Sequence, residues 1–194
     1  MAGETLFVTT FGKSHPLLED SRLFLALERP DDAAEMIRAM RPDAMKNFAF
    51  FEEQVTAKRQ ATYLYRMARS PTDFLFTIRT RRKSRCIGTV GLHEYDAHDR
   101  MVRIGCIIFQ PRDRRKGYGH GAIELALQYA FEVLKVNKVY LNVFHENTRA
   151  QAIYARMGFR PEGVLLEEYL LDGKFHDMVR MCILARWREA TPTT

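Results

Sequence analysis

The spacing of apolar and polar residues changes several times along the chain, and each change marks an element. Arg22 to Glu28 is an apolar, strand-like run. Pro30-Asp31-Asp32 then precedes Ala33, Ala34, Met36, Ile37 and Met40, the pattern of an acid-capped helix that Pro42 ends. A second helix is expected from about Phe50 to Ala68, closed by Pro71. Asp73 to Arg79, Cys86 to Glu94 and Met101 to Phe109 are β-rich runs bounded by short polar segments, which predicts an antiparallel meander. The basic segment Arg81-Arg82-Lys83-Ser84 reads as a solvated hairpin tip. From about Gly119 to Leu134, the residues Ala122, Leu125, Ala126, Tyr129 and Val133 share one helical face. Lys138 to Phe144 is a strand. Asn147 caps a helix that buries Ala150, Ile153 and Met157 and stops at Gly158. Val164 to Leu171 and Phe175 to Leu184 form a hairpin around Asp172-Gly173.

Residues 1–20 lack periodicity and read as an extension; 21–188 read as one domain and 189–194 as a tail. A chain of 194 residues suits that division, and 46% hydrophobic with 28% charged residues describes an ordinary globular protein. No apolar run approaches the ~18 residues of a membrane span, so no membrane partner is expected. The first residues do not read as a signal peptide. Cys86, Cys106 and Cys182 have no CxxC spacing and lie in apolar runs. Buried free thiols and a cytoplasmic location are therefore expected. The net charge of +6 matters less than its placement in two clusters, Arg79 to Arg85 and Arg112 to Lys116.

The second cluster carries the chemistry. Arg112-Asp113-Arg114-Arg115-Lys116-Gly117-Tyr118-Gly119-His120-Gly121 lies between a strand and a helix start. Glycines allow a tight turn and close approach of a ligand to the backbone. Helix-start amides, the helix dipole and the flanking cations suit an anion such as a pyrophosphate. A Walker A loop is excluded because no Gly-Lys-Ser/Thr is present. Gly117, Gly119 and Ala122 satisfy GxGxxA, with Glu146 ending the next strand. Yet seven residues separate Phe109 from Gly117, and only 48 follow Glu146, too few for a dinucleotide fold.

Arg114-x-x-Gly117-x-Gly119 resembles motif A of the GNAT superfamily of acetyl-CoA-dependent N-acetyltransferases. The resemblance continues through Asn147, Ala152-Ile153-Tyr154 and Gly158-Phe159. Glu162-Gly163-Val164, Asp172-Gly173-Lys174 and Asp177 to Met181 resemble the RimJ/RimL (ribosomal-protein acetyltransferase) branch, which includes spermidine acetyltransferases. It is close over residues 85–184 and loose over 20–84. It implies an α+β fold: a mostly antiparallel, twisted sheet of six or seven strands with helices on both faces. That sheet is splayed between its fourth and fifth strands, here Met101–Phe109 and Lys138–Phe144.

The resemblance further implies that acetyl-CoA is the cofactor. Ile107, Ile108 and Phe109 would face its pantetheine. Arg114, Arg115, Lys116, Gly117, Tyr118, Gly119 and His120 would bind the cofactor, the loop amides from about Arg115 to Gly119 holding its pyrophosphate, and Asn147 would also contact the cofactor. Tyr154 matches the family tyrosine beside the thioester sulfur, where a phenol can protonate the leaving thiolate. Many relatives carry a glutamate where Ile104 stands. Glu94 is the candidate base in its place, with His93, Tyr95, His145 and Glu146 as alternatives. For the acceptor, Phe51, Glu52 and Glu53 resemble an aromatic-acidic stretch of spermidine acetyltransferases, and Tyr95 is a further candidate for substrate binding. A small amine or polyamine and a peptide N-terminus both remain open. A homodimer or higher homo-oligomer is the assembly the family suggests. The competing class is a non-catalytic acyl-CoA-binding or regulatory module, favoured by the absent glutamate. Nucleic-acid binding is disfavoured because no helix-turn-helix or interleaved basic-aromatic strand is present. No metal-ligand set is present either.

Overall fold

The computed structural model describes residues 7–10, 13–16, 18–27, 62, 66–67, 69–109, 111–171 and 173–189. The helices expected over 30–42 and 50–68 lie almost entirely outside these residues, although Thr62, Arg66 and Met67 are helical. Ten strands are seen among the described residues: β1 Phe7–Thr10, β2 Lys13–Pro16, β3 Leu18–Glu19, β4 Leu23–Leu27, β5 Phe74–Thr80, β6 Cys86–Asp96, β7 Met101–Phe109, β8 Lys138–Phe144, β9 Arg160–Leu171 and β10 Lys174–Leu184. The helices that concern the site are α1 Tyr118–Gln128, which continues as a π turn over Tyr129–Val133, and α2 Thr148–Arg156. A short α3, Ala185–Glu189, follows β10.

β1 and β2 form a separate two-stranded antiparallel sheet, where the sequence suggested only an extension. Val8, Thr9 and Thr10 are β-branched, which suits extended pairing. The other eight strands form one sheet in the order β3-β4-β5-β6-β7-β8-β10-β9. The expected six or seven strands become eight because Leu18–Glu19 adds a short edge strand; β9 is longer than expected, starting at Arg160.

All pairings are antiparallel except β7–β8. The crossover through α1 makes that pair parallel. Strand alternation and register then sort the side chains. Phe74, Phe76, Leu92, Val102, Ile104 and Val139 share one face. Phe74 and Phe76 pack on Tyr129 at ring-centroid distances of 5.6 and 5.1 Å, so this face carries α1 and its π turn. Burial pushes the Tyr129 phenol pKa far above its usual value. Asp73, Gly91, His93, Arg103, Gly105 and Tyr140 line the opposite face.

The helical faces differ from their expectation at two positions. Val133 is 36% and Ile153 45% exposed, whereas Ala122, Leu125, Ala126 and Met157 are buried. The π turn changes the periodicity at Val133: Leu134 N–H bonds the Tyr129 carbonyl at 3.0 Å and Val136 N–H that of Ala130 at 3.2 Å. Cys86 and Cys182 are buried thiols, neither in a disulfide. No helix among the described residues is long and apolar enough to cross a membrane.

Candidate active site

The parallel β7–β8 pairing covers Met101↔Lys138, Val102↔Val139 and Arg103↔Tyr140 and then stops. Beyond that point β7 stays paired to β6 as far as Phe109, and β8 stays paired to β10 as far as Phe144. The sheet therefore opens between the two strands, and both carboxyl ends lie at the open end. In parallel sheets this is where ligands bind. The loop before α1 leaves β7 there. Asn147, which precedes α2, leaves β8 at the same end.

The residues of the loop are fastened from behind. A 3-10 turn, Pro111–Asp113, follows β7. Asp113 is 1% exposed and receives Arg85 Nη1 at 2.7 Å and Nη2 at 2.8 Å. Lys116 Nζ lies 3.4 Å from the same carboxylate. The Arg85 hydrogen bonds hold the Asp113 carboxyl below the usual carboxylate range, against the effect of burial. Arg22 donates to the carbonyls of Lys116 and Gly117 at 3.3 and 3.4 Å, and its guanidinium stands over the Tyr118 ring. Arg115 and Gly117 adopt left-handed conformations, with φ of 62° and 77°.

Gly117 is the N-cap of α1 and supplies no side-chain cap, so no cap side chain occupies the first-turn amides. Gly119 and His120 lie in that first turn. Gly121 explains the close seating of α1 on the sheet edge: a Cβ there would come within 2.8 Å of Asp20 Oδ2. A splayed pair of strands, uncapped helix amides and a cationic loop suit a nucleotide-linked thioester with a pyrophosphate. Lys116 reaches Asp113 from this loop with its side chain about half exposed.

The other expected site residues fall in three groups. Ile107, Ile108 and Phe109 lie on the splayed part of β7. Asn147 caps α2, its Oδ1 accepting from Ala150 N–H at 3.1 Å. Tyr154 lies on α2, part-buried against the core and edge-on to Phe159 at 5.8 Å. Burial pushes its phenol up to about 12.

At the closed end of the splay stands Glu94. It lies at a register shift of β6 with φ of 56°, which turns it onto the face of Arg103 and Tyr140. Arg103 Nη2 and Nε donate to its Oε1 at 2.7 and 3.0 Å, and the Tyr140 hydroxyl donates to Oε2 at 2.8 Å. Glu94 thus joins the two residues of the last β7–β8 pair. The Arg103 bonds hold its carboxyl below the usual range, while burial and the Glu94 bond push Tyr140 up to about 12. A carboxylate so engaged is a weak proton acceptor. Tyr95 packs edge-on to Phe74 and donates to the Leu134 carbonyl at 3.3 Å, contacts on the helix-bearing side. His145 is exposed at the end of β8, and Glu146 pairs with His176 at 3.1 Å. Phe51, Glu52 and Glu53 lie outside the described residues.

Arg22, Asp73, Arg85, Arg103, Asp113 and Tyr140 were not singled out from the sequence as site residues. Only Asp113 carried a signal, as the one acid in a run of four bases.

Comparisons with known proteins agree with this geometry. The family described as acetyltransferase (GNAT) domain matches residues 22–160, and the chain belongs to the GNAT acetyltransferase family, whose members use acetyl-CoA. The spermidine N(1)-acetyltransferase of Vibrio cholerae is 39% identical over 98 residues, half of this chain and 56% of that protein. The Escherichia coli protein of the same name is 42% identical over 77 residues, 41% of its length. The chain thus spans about half the length of the curated relatives it matches here. The crystal structure of the Vibrio cholerae spermidine N-acetyltransferase in complex with CoA and spermine superposes with a TM-score of 0.78 at 27% identity, covering 86% of this chain and 98% of that one.

Proposed function

We propose that this protein transfers the acetyl group of acetyl-CoA directly to a primary amine, and that the amine is a polyamine. The observation that carries the reading is the parting of β7 and β8 beyond Arg103↔Tyr140, with α1 opening at its mouth on an uncapped Gly117. When bound, acetyl-CoA supplies an activated acetyl thioester.

The chain's own residues do the rest. Arg114, Arg115 and the α1 amides at Tyr118, Gly119 and His120 attract and seat the pyrophosphate, while Asp113 and Arg22 fix the loop that presents them. Ile107 to Phe109 offer backbone groups unpaired by β8. Asn147 orders the opposite lip. Tyr154 holds its proton through the physiological range and donates it at Oη to the departing sulfur.

The polyamine assignment rests on the likeness to spermidine acetyltransferases and on Glu52-Glu53, whose carboxylates suit ammonium groups. A peptide N-terminus is the second reading. It is favoured by the RimJ/RimL-like motifs and by 31% identity over 99 residues to YdaF of Bacillus subtilis, whose name marks it provisionally as a ribosomal N-acetyltransferase. The buried thiols suit a reducing cytoplasm. A homo-oligomer would cover the exposed Val164, Leu166, Leu170 and Phe175 of the β9–β10 hairpin.

The test pairs calorimetric acetyl-CoA binding with thiol release over spermidine, spermine, amino sugars and N-terminal peptides. Gly119→Trp should abolish binding in a folded protein, and spermidine or spermine should be the preferred acceptor. Unchanged binding by Gly119→Trp removes the cofactor assignment. Turnover with peptides alone removes the polyamine.

A further inference from the structure

The face opposite α1 carries a buried polar pair, His93 with Asp73, of which only His93 stood among the alternatives for the base. His93 is 5% exposed and lies on β6 beside the closed end of the splay, in register with Arg103. Its Nδ1 stands 3.0 Å from Asp73 Oδ1. The other oxygen of Asp73 accepts from Ser70 Oγ at 2.6 Å and Thr72 Oγ1 at 3.2 Å, so that carboxylate is fixed from two sides. The carboxylate selects the Nδ1–H tautomer and leaves Nε2 as an acceptor. Nε2 is buried and has no hydrogen-bond partner among the described residues.

Gly91 makes room for the ring. Gly91 and Gly105 are paired across β6 and β7. A Cβ on Gly91 would clash with His93 Nε2, whereas one on Gly105 would meet Arg103 Nη1 at 3.2 Å and only touch the ring Cδ2, at 3.7 Å. The imidazole therefore packs over the backbone of Gly91, beside the Arg103 guanidinium, and Gly105 belongs to the splayed part of β7. A buried acceptor without a partner costs free energy, and such groups mark places where function holds a residue.

We propose that His93 Nε2 is the proton acceptor for the incoming ammonium group, with Asp73 as the residue that positions the ring. The inference rests on the acetyl-transfer reading above. It fills the role left open by Ile104, and Glu94 is already committed to Arg103 and Tyr140.

The bonds balance as follows. The ammonium loses one proton to Nε2 and keeps that electron pair on nitrogen. The pair forms the N–C bond, while the C–S bond breaks with its electrons on sulfur. Sulfur takes the Tyr154 phenol proton. The surplus proton on the new amide nitrogen restores that phenol, and the imidazolium releases its proton to solvent.

The charged groups facing His93 among the described residues are Asp73 before β5, Glu94 on β6 and Arg103 on β7. Burial, the largest influence, moves the imidazole below its usual pKa, and Asp73 partly opposes this, so the ring is neutral near pH 7.

His93→Gln keeps a polar side chain but cannot take a proton. It should lower kcat/KM for the amine roughly 10²–10³-fold at pH 7, with acetyl-CoA affinity unchanged. The deficit should shrink toward pH 10, where amines with a pKa near ~10.4 arrive neutral. Asp73→Asn should show a smaller loss with the same pH trend. In the parent chain, nitrogen NMR of labelled histidines should show His93 protonated at Nδ1 and bare at Nε2, with the Nε2 signal moving when spermidine is added with CoA. This readout decides the question if His93→Gln does not fold. An active parent whose His93→Gln variant stays within three-fold with the same pH profile overturns the inference alone, as does an Nε2-protonated tautomer. A parent that neither binds acetyl-CoA nor releases thiol overturns the reading beneath it, and the inference with it.

Discussion

Arg85 and Asp113 lie 28 positions apart and meet in a two-armed ion pair, Nη1 to Oδ2 at 2.7 Å and Nη2 to Oδ1 at 2.8 Å. Arg85 stands just before β6, beyond the β5–β6 turn, and Asp113 stands behind the loop that opens α1. The pair ties the middle hairpin to the loop before α1. Arg81 is also engaged, with Glu19 at 3.0 Å. Two of the cations around the basic hairpin tip are thus structural.

Arg85→Met should leave the Asp113 carboxylate buried with only Lys116 and Arg112 near it. Breaking a fully buried pair costs ~3–5 kcal/mol; Arg85 is about one-third exposed, and screening reduces the expected loss to about 1–3 kcal/mol. The melting temperature should fall by several degrees and acetyl-CoA affinity by more than ten-fold, read by calorimetry. The pH dependence has a definite sign. Asp113 is depressed in the folded state, so its contribution is present above the unfolded value near ~3.9 and is lost as pH falls through the lower folded value. Thermal melts from pH 5 to 2 should therefore fall more steeply for the parent than for Asp113→Asn.

Tyr154→Phe removes one hydroxyl and keeps the ring against Phe159. Acetyl-CoA binding and the melting temperature should hold, while turnover falls ~10²–10⁴-fold under conditions where chemistry limits the rate. Because the phenol is raised to about 12, its ionisation should produce no alkaline decline in the parent below about pH 11. A parent that loses activity with an apparent pKa near 10 would assign that decline to another group.

Gly91→Ala places a methyl group in clash with His93 Nε2 in a buried site. The ring must move and the Asp73 bond must lengthen, at a cost of ~1–3 kcal/mol. A crystal structure of the variant should show the imidazole displaced, and Gly91→Ala should reproduce the pH-dependent deficit of His93→Gln. A melting temperature equal to that of the parent would contradict the close packing.

Glu52→Gln/Glu53→Gln tests the acceptor. A solvent-screened ammonium–carboxylate pair contributes ~1 kcal/mol or less, so loss of two such pairs should raise the polyamine KM up to roughly thirty-fold. The effect should weaken at high salt and leave acetyl-CoA unaffected. Steady-state kinetics at two ionic strengths reads this directly, and equal KM values for both proteins would remove these carboxylates from the site.

The local periodicities alone placed β5, β6, β7, α1, β8, α2 and the terminal hairpin within a few residues of where they lie. They also placed the loop between β7 and α1 and the cap at Asn147. Such features depend on neighbours a few positions away, and alternation or helical spacing records them. The pairings across the sheet decided the rest. A register shift with positive φ turns Glu94 onto the face of Arg103 and Tyr140, which simple alternation along β6 does not show. Tyr95, one residue on, falls on the helix-bearing face for the same reason. Asp73 reaches His93 across 20 positions because β5 pairs with β6, and Gly91 meets Gly105 because β6 pairs with β7. Ion pairs and ring cradles of this kind belong to strand register and to which hairpin lies beside which loop. A one-dimensional pattern carries only the face of each strand, so those meetings are determined by the tertiary structure.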